Sequence, residues 1–266
     1  MSNRHLALGC LVTTALLTLG VAAPAAAAAN YATTDYVALG DSYSSGVGAP
    51  GQVGLCLRSP NGYAALWASR NRPRSFTNLT CGGAVTGDVI HLQVPFLSGG
   101  AELVSITIGG NDAGFAPTVL GCQLSSDAAC ARTVADAEAD IGSTLPAKLD
   151  ATYAAIKRKA PNAKVVVLGY PLLFDTSSSA CGIAGMSLAK RRVLNHGAQV
   201  LDDLIAARAG AAGLTFSDVR DEFAGHGICA SSPYLNGLTV LPPQNSFHPN
   251  RTGYASGYLP AFAGAV

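Results

Sequence analysis

Charge is what this sequence has least of. Only 12% of its 266 residues are Asp, Glu, Lys or Arg, and 17 bases against 16 acids leave a net charge of +1. So even a balance supplies no basic field, and no nucleic-acid partner is expected. The runs Lys157-Arg158-Lys159 and Lys190-Arg191-Arg192 are short and sit near expected helix ends, as solvated faces do. Metal chemistry lacks its signs too. No Cys-x-x-Cys pair occurs, no His stands at ligand spacing from a Cys pair, and His-Glu-x-x-His is absent. The Walker sequence and the Gly-x-Ser-x-Gly elbow are also missing. Gly46-Val47-Gly48-Ala49-Pro50-Gly51 matches the dinucleotide fingerprint, but it does not directly follow a strand. Pro50 is badly placed for a helix opening, and no acid follows about 20 residues on. Neither a metal nor a cofactor is expected. Internal repeats and interdomain linkers are absent as well.

What is abundant is apolar: 49% of the residues, enough for one sizeable α/β domain. The first 29 residues read as a secretory leader. Arg4 and His5 precede an uncharged stretch from Leu6 to Val21, and small residues follow to Ala27-Ala28-Ala29. Pro24 and the alanine run argue against a membrane anchor, and Cys10 comes too early in the apolar stretch for a lipid-attachment site. Residues 30–266 are then expected to form a single domain. Loss of the leader removes one base, Arg4, and no acid, which leaves no net charge. It also removes Cys10, leaving six cysteines, an even number that suits disulfides in an oxidising compartment. Of the possible pairings, the sequential set closes the shortest loops and is expected: Cys56–Cys81, Cys122–Cys130 and Cys181–Cys229.

Beyond the leader, short β-branched runs alternate with longer alanine-rich ones. Strands are predicted at Tyr36–Leu39, Ser75–Leu79, Leu103–Ile108, Lys164–Leu168 and Leu214–Phe216. Helices are predicted at Asn61–Arg70, Ala131–Lys159 with Pro146 as a point where it could be interrupted, Ser187–Ala209 and Thr252–Phe262. The stretch Ala84–Leu97 reads as a loop, or as a helix broken by Pro95. This alternation implies a mostly parallel sheet covered on both faces.

Ligands of such sheets bind beyond the carboxyl ends of the strands. There the sequence places Gly40-Asp41-Ser42 after the first strand and Gly109-Gly110-Asn111-Asp112 after the third. Cys81-Gly82-Gly83 offers a backbone N–H that a ligand could approach closely. Ser246-Phe247-His248-Pro249, before the last helix, offers an imidazole as partner for a serine. Each piece alone has an ordinary explanation. Ser42 would serve as a helix cap, Asn111 as an Asx-turn residue, Gly83 as a turn glycine and His248 as a structural histidine. The combination, in this order and at these strand ends, is far more specific.

It resembles the SGNH, or GDSL, hydrolase family, over essentially the whole chain from about Asp35. Gly40-Asp41-Ser42 matches the nucleophile block, Gly83 the second block, Gly109–Asp112 the third and His248 the last. The stretches Val37–Gly46 and Ser246–Pro249 look especially like the secreted actinobacterial lipases and esterases of that family. The resemblance implies a three-layer α/β/α sandwich with a five-stranded, mostly parallel sheet. It also implies a secreted enzyme for small-molecule or lipid esters, with Ser42 as nucleophile and His248 as general base. The N–H groups of Ser42 and Gly83 and the Asn111 side chain would hold the oxyanion. Two departures matter. Gly82 stands where many members have serine. Asn245 stands where aspartate usually precedes the histidine by three residues, and an amide cannot supply the charge that steadies an imidazolium. The implied reading is a Ser42–His248 dyad, with the carbonyl of Asn245 or of Ser246 holding the ring. Fatty acyl esters are the expected substrates, with Phe115 and Leu172-Leu173-Phe174 as a candidate acyl surface, and a monomer is expected. The alternatives are a polysaccharide deacetylase and a non-catalytic binding protein, the latter because the aspartate is missing.

Overall fold

The computed structural model describes residues 30–181 and 185–266. The leader read from the sequence, residues 1–29, lies outside the described residues. Five parallel strands form the sheet: β1 Asp35–Gly40, β2 Ser75–Asn78, β3 Leu103–Thr107, β4 Lys164–Leu168 and β5 Thr215–Ser217. Their spatial order is β2-β1-β3-β4-β5. β1 and β3 are neighbours in the sheet, and the chain reverses its direction of travel between them. A crevice opens at such a switch point, beyond the strands' carboxyl ends. β1, β3 and β4 are buried on both faces, which explains their unbroken apolar runs where a half-exposed strand would alternate.

The helices are α1 Ser42–Ser45, α2 Tyr63–Asn71, α3 Thr86–Asp88, α4 Phe115–Leu124, α5 Asp127–Lys159, α6 Leu188–Ala211 and α7 Leu259–Ala265. On one face Tyr36 of β1 packs against Trp67 of α2 and stacks on Phe262 of α7. On the other, Leu145 and Leu149 of α5 and Ile205 of α6 pack against Gly109, two residues beyond β3. The result is the three-layer α/β/α arrangement expected from the sequence.

The strand predictions hold to within a residue or two. The helices show real differences. α5 begins earlier than predicted and runs through Pro146 without a break. A proline there removes one helical hydrogen bond and crowds the carbonyl four residues before it. Here that residue is Gly142, and buried Ile141, Leu145 and Leu149 hold the segment against the core. Ala84–Leu97 is neither one loop nor one helix. It comprises α3, a wide π-type turn at Val89–Gln93 and a 3-10 turn at Val94–Phe96. The closing helix likewise starts as a wide turn, Gly253–Tyr258, before α7. α4 is not among the predicted helices, because Gly114, Pro117 and Gly121 mask it.

The disulfides are Cys56–Cys81, Cys122–Cys130 and Cys181–Cys229, the sequential set. Among the described residues no helix is long and apolar enough to cross a membrane. No group of three or more metal-ligating side chains occurs among them either.

Candidate active site

β1 ends at Gly40, whose φ of +114° suits only glycine, and a Cβ there would lie 2.3 Å from the Thr107 carbonyl. That close approach lets the chain turn sharply into α1. Gln93 clamps Gly40 from the side, accepting from Gly40 N at 2.7 Å and donating to Gly40 O at 2.9 Å. Asp41 then caps α1. Its carboxylate accepts from Tyr43 N at 3.0 Å, from Thr107 Oγ1 at 2.6 Å and from the Tyr170 hydroxyl. Burial pushes the Asp41 carboxyl up to about 6, against the pull of these donors. Ser42 is therefore the first residue of a short, immobilised helix.

His248 comes to Ser42 from the far end of the chain. Its Nε2 lies 2.7 Å from Ser42 Oγ, and its Nδ1 lies 2.9 Å from the carbonyl of Ser246. With Nδ1–H donating to that carbonyl, Nε2 is left as an acceptor for the serine proton. The close packing around the ring lowers its pKa from 6.5 to about 4, while the Ser246 carbonyl pulls the other way. The imidazole is thus neutral at pH 7, the state a general base requires.

Of the two carbonyls considered for this role, the one that faces the ring is that of Ser246. The expectation for Asn245 is corrected accordingly, because both of its oxygens are engaged elsewhere. Its carbonyl accepts from the His248 backbone N at 3.3 Å, and its side chain accepts from Gln52 Nε2 at 2.7 Å. Ser246 is itself fixed, since its hydroxyl bonds to both the N–H and the carbonyl of Thr239. Tyr43 supports the same segment. It donates to the Phe247 carbonyl at 2.7 Å, and its ring centre lies 5.0 Å from that of His248.

Three candidate oxyanion donors were expected. The N–H of Ser42 is an orphan donor at the start of α1, and neither it nor the N–H of Gly83 donates to another backbone group among the described residues. Gly83 adopts φ +84°, in a turn tied down by the Cys56–Cys81 bridge and by Gly82 N donating to Cys56 O at 3.0 Å. Asn111 donates one amide hydrogen to the Ala84 carbonyl at 2.9 Å, which leaves the second for a ligand. The neighbouring Asp112 accepts from both Thr86 N and Thr86 Oγ1, and so joins the Asn111 turn to the Gly83 turn. Ser42, Asn111 and His248 line one pocket, whereas Gly83 lines a separate crevice with Cys56, Cys81 and Gln93. Sequence reasoning missed the supporting cast of Gln93, Thr107, Tyr170 and Tyr43. Asp41 stood out only as part of a motif.

An imidazole set to accept the proton of a nearly buried alcohol, beside uncommitted N–H donors, is equipment for acyl transfer. Residues 38–256 match the profile of the GDSL-like Lipase/Acylhydrolase family, and the chain belongs to that family. It is a carboxylic ester hydrolase. It is 47% identical over 262 residues to Lipase 1 of Streptomyces coelicolor, covering 97% of each chain. Its fold is similar to the crystal structure of a phospholipase A1 from Streptomyces albidoflavus NA297 (TM-score 0.85, 42% identity, 88% of this chain and all of that one). An extracellular lipase from Streptomyces rimosus is equally similar (TM-score 0.84, 46% identity, 88% and 100% covered).

Proposed function

We propose that this chain is a secreted lipase or esterase that cleaves fatty acyl esters through a Ser42–His248 dyad and an acyl-enzyme. The observation that carries the reading is the 2.7 Å contact between Ser42 Oγ and the Nε2 of a neutral His248. His248 takes the proton as Ser42 Oγ attacks the ester carbonyl. The N–H groups of Ser42 and Gly83 and the free amide hydrogen of Asn111 hold the negative charge that develops. His248 returns the proton to the leaving alcohol, and the same steps with water release the acid. The Ser246 carbonyl keeps the ring in the right tautomer and orientation, the part an aspartate plays in a triad. It supplies no full charge.

The acyl-chain preference rests on a second feature. The Ser42 pocket is lined by Phe115, Leu173, Ala198 and Leu201, and these same four residues line an adjoining narrow apolar crevice. The crevice runs on between α4, α5 and α6 to Val134 and Ile141. An acetyl group would stop short of this apolar wall, whereas a longer acyl chain would lie against it. Phe174, grouped with Leu173 as a candidate acyl surface, packs against Phe247 instead. Removal of residues 1–29 and folding of residues 30–266 as one domain complete the reading. Three disulfides and the extracellular relative support export.

A panel of chromogenic esters from acetyl to long acyl chains, with phosphatidylcholine and an acetylated polysaccharide as further substrates and Ser42→Ala as control, tests this. Turnover should rise with chain length and vanish in the variant. Preference for acetylated polysaccharide over every acyl ester would overturn the substrate assignment.

A further inference from the structure

Nine large apolar side chains are exposed among the described residues, and seven of them, all but Leu92 and Phe96, lie on three segments: the hairpin at Val53 and Leu55, α4, and the loop at Leu238, Val240 and Leu241. Val53 and Leu55 crown a small hairpin closed by the Val53–Arg58 bridge, and Leu55 is fully exposed. The next residue, Cys56, accepts from Gly82 and is bridged to Cys81, so this tip stands beside the Gly83 turn. Val240 and Leu241 head the loop that closes on Ser246 and leads into His248. The two tips are tied together where Gln52 Nε2 donates to Asn245 Oδ1 at 2.7 Å. A third exposed group lies on α4, the helix that begins at pocket-lining Phe115.

These segments share a second property. Residues 42–57, 113–126 and 227–247 contain no Asp, Glu, Lys or Arg. An apolar rim without charge can leave water for a lipid surface with no ionic desolvation cost. The base at the foot of the hairpin, Arg58, is engaged with the Thr80 carbonyl, so the tips themselves carry no charge to attract an anionic surface.

We propose that the Val53–Leu55 and Val240–Leu241 tips form a docking surface for aggregated zwitterionic lipid, seating the Ser42 mouth on a bilayer or micelle. The inference rests on the ester-hydrolase reading and deepens it. A long-chain ester resides in an aggregate, and its acyl chain must pass from there into the crevice beside Ser42. A rim that adsorbs around the mouth shortens that passage. A protein partner or second copy seated on the same tips would cover the mouth, which disfavours it as the occupant.

The test uses the full chain carrying Ser42→Ala, so that binding is read without hydrolysis, and phosphatidylcholine vesicles as the probe. Leu55→Ser and Val240→Ser are introduced separately into that background. Each should lower the vesicle-bound fraction about tenfold, with little dependence on salt. In the Ser42-containing enzyme the same changes should slow vesicle hydrolysis to a similar extent. They should leave kcat/KM for a soluble butyryl ester unchanged, which also reports correct folding. If one variant loses the soluble activity, the other decides. Unchanged vesicle binding in the folded variant overturns the proposal. So does binding that high salt abolishes, or an effect confined to dissociation of a dimer. Absence of soluble-ester turnover in the parent would defeat the hydrolase reading instead, while the vesicle partition would still judge the docking surface.

Discussion

The two ends of the parallel sheet are built by the same strands and solve opposite problems. At the amino ends, charge is out in water: Arg74 pairs with Asp35, Glu102 lies 3.8 Å from the same guanidinium, and Ser75 donates to Asp35. At the carboxyl ends of the neighbouring strands β1 and β3, the polar groups are instead turned inward on one another. Asp41 is buried with three donors on its carboxylate, and Gln93 is buried astride Gly40. Exposed pairs are individually weak because solvent screens them. A buried network is costly to break, because each lost partner leaves a polar group unsatisfied. The same strands thus present one end that tolerates change and one that holds a geometry.

The sharpest test of that contrast is the dyad itself. Replacing His248 with Ala should lower kcat/KM by roughly 10⁴-fold or more, with a normal thermal midpoint. Asn245→Ala should retain substantial activity, since the ring is held by Ser246. Loss in Asn245→Ala equal to that in His248→Ala would break the carbonyl-backed dyad. The wild-type pH profile offers a second reading of the same group. The base must be neutral, so kcat/KM should fall with decreasing pH only near His248's value of about 4, well below an ordinary histidine's 6.5. The sign for stability is the same: the unfolded chain takes up the proton first. Stability from this group is therefore full above 6.5 and is lost as pH falls towards 4.

Next in size is Asn111. Ala there should cost about 10²–10³ in turnover while leaving KM largely unchanged, because the amide acts on charge that exists only in the transition state. Equal losses in turnover and in the binding of a non-reacting ester analogue would instead make Asn111 a ground-state binder. The comparison with Asp112 beside it sharpens the point. Asp112 joins two loops, so its loss should appear in stability as well as rate.

How far the two ends could be read from sequence differs for a physical reason. The strands were legible because buried parallel strands are unbroken β-branched runs, and Ser42, Gly83, Asn111 and His248 because they stand where those runs stop. The network behind them was not legible. Tyr170 lies 129 positions from Asp41, and Gln93 lies 53 from Gly40, so no local pattern links them. The choice between Asn245 and Ser246 depended on Phe247 adopting φ +63°, a backbone state that sequence does not announce for phenylalanine. α4 was hidden by residues that usually end helices. Pro117 sits in its first turn, where a missing N–H costs nothing.

A smaller effect is expected at the throat of the crevice. Ala198 borders both the Ser42 pocket and its apolar extension, so Ala198→Leu should narrow the passage between them. Long-chain ester kcat/KM should fall about tenfold, and acetyl ester kcat/KM should hold, since short chains stop before the constriction. A uniform loss across chain lengths would mean that acyl chains do not enter by this route.

The smallest effect belongs to the other end of the sheet, at Arg74. Arg74 and Ser75 hold the Asp35 carboxyl down to about 2. A carboxyl held low stabilises the fold above its ordinary range, and that support is lost as pH falls towards 2. Arg74→Ala should therefore lower the thermal midpoint slightly at neutral pH and not at all near pH 2. Ser75 still donates to Asp35, and the arginine is more than half exposed, so the change should be small. Ester turnover should not change, because Asp35 and Ser42 are separated by the length of β1, about 20 Å of extended chain. A drop in turnover without loss of stability would show that strain crosses the sheet from end to end. The division between a tolerant end and a geometry-holding end would then fail.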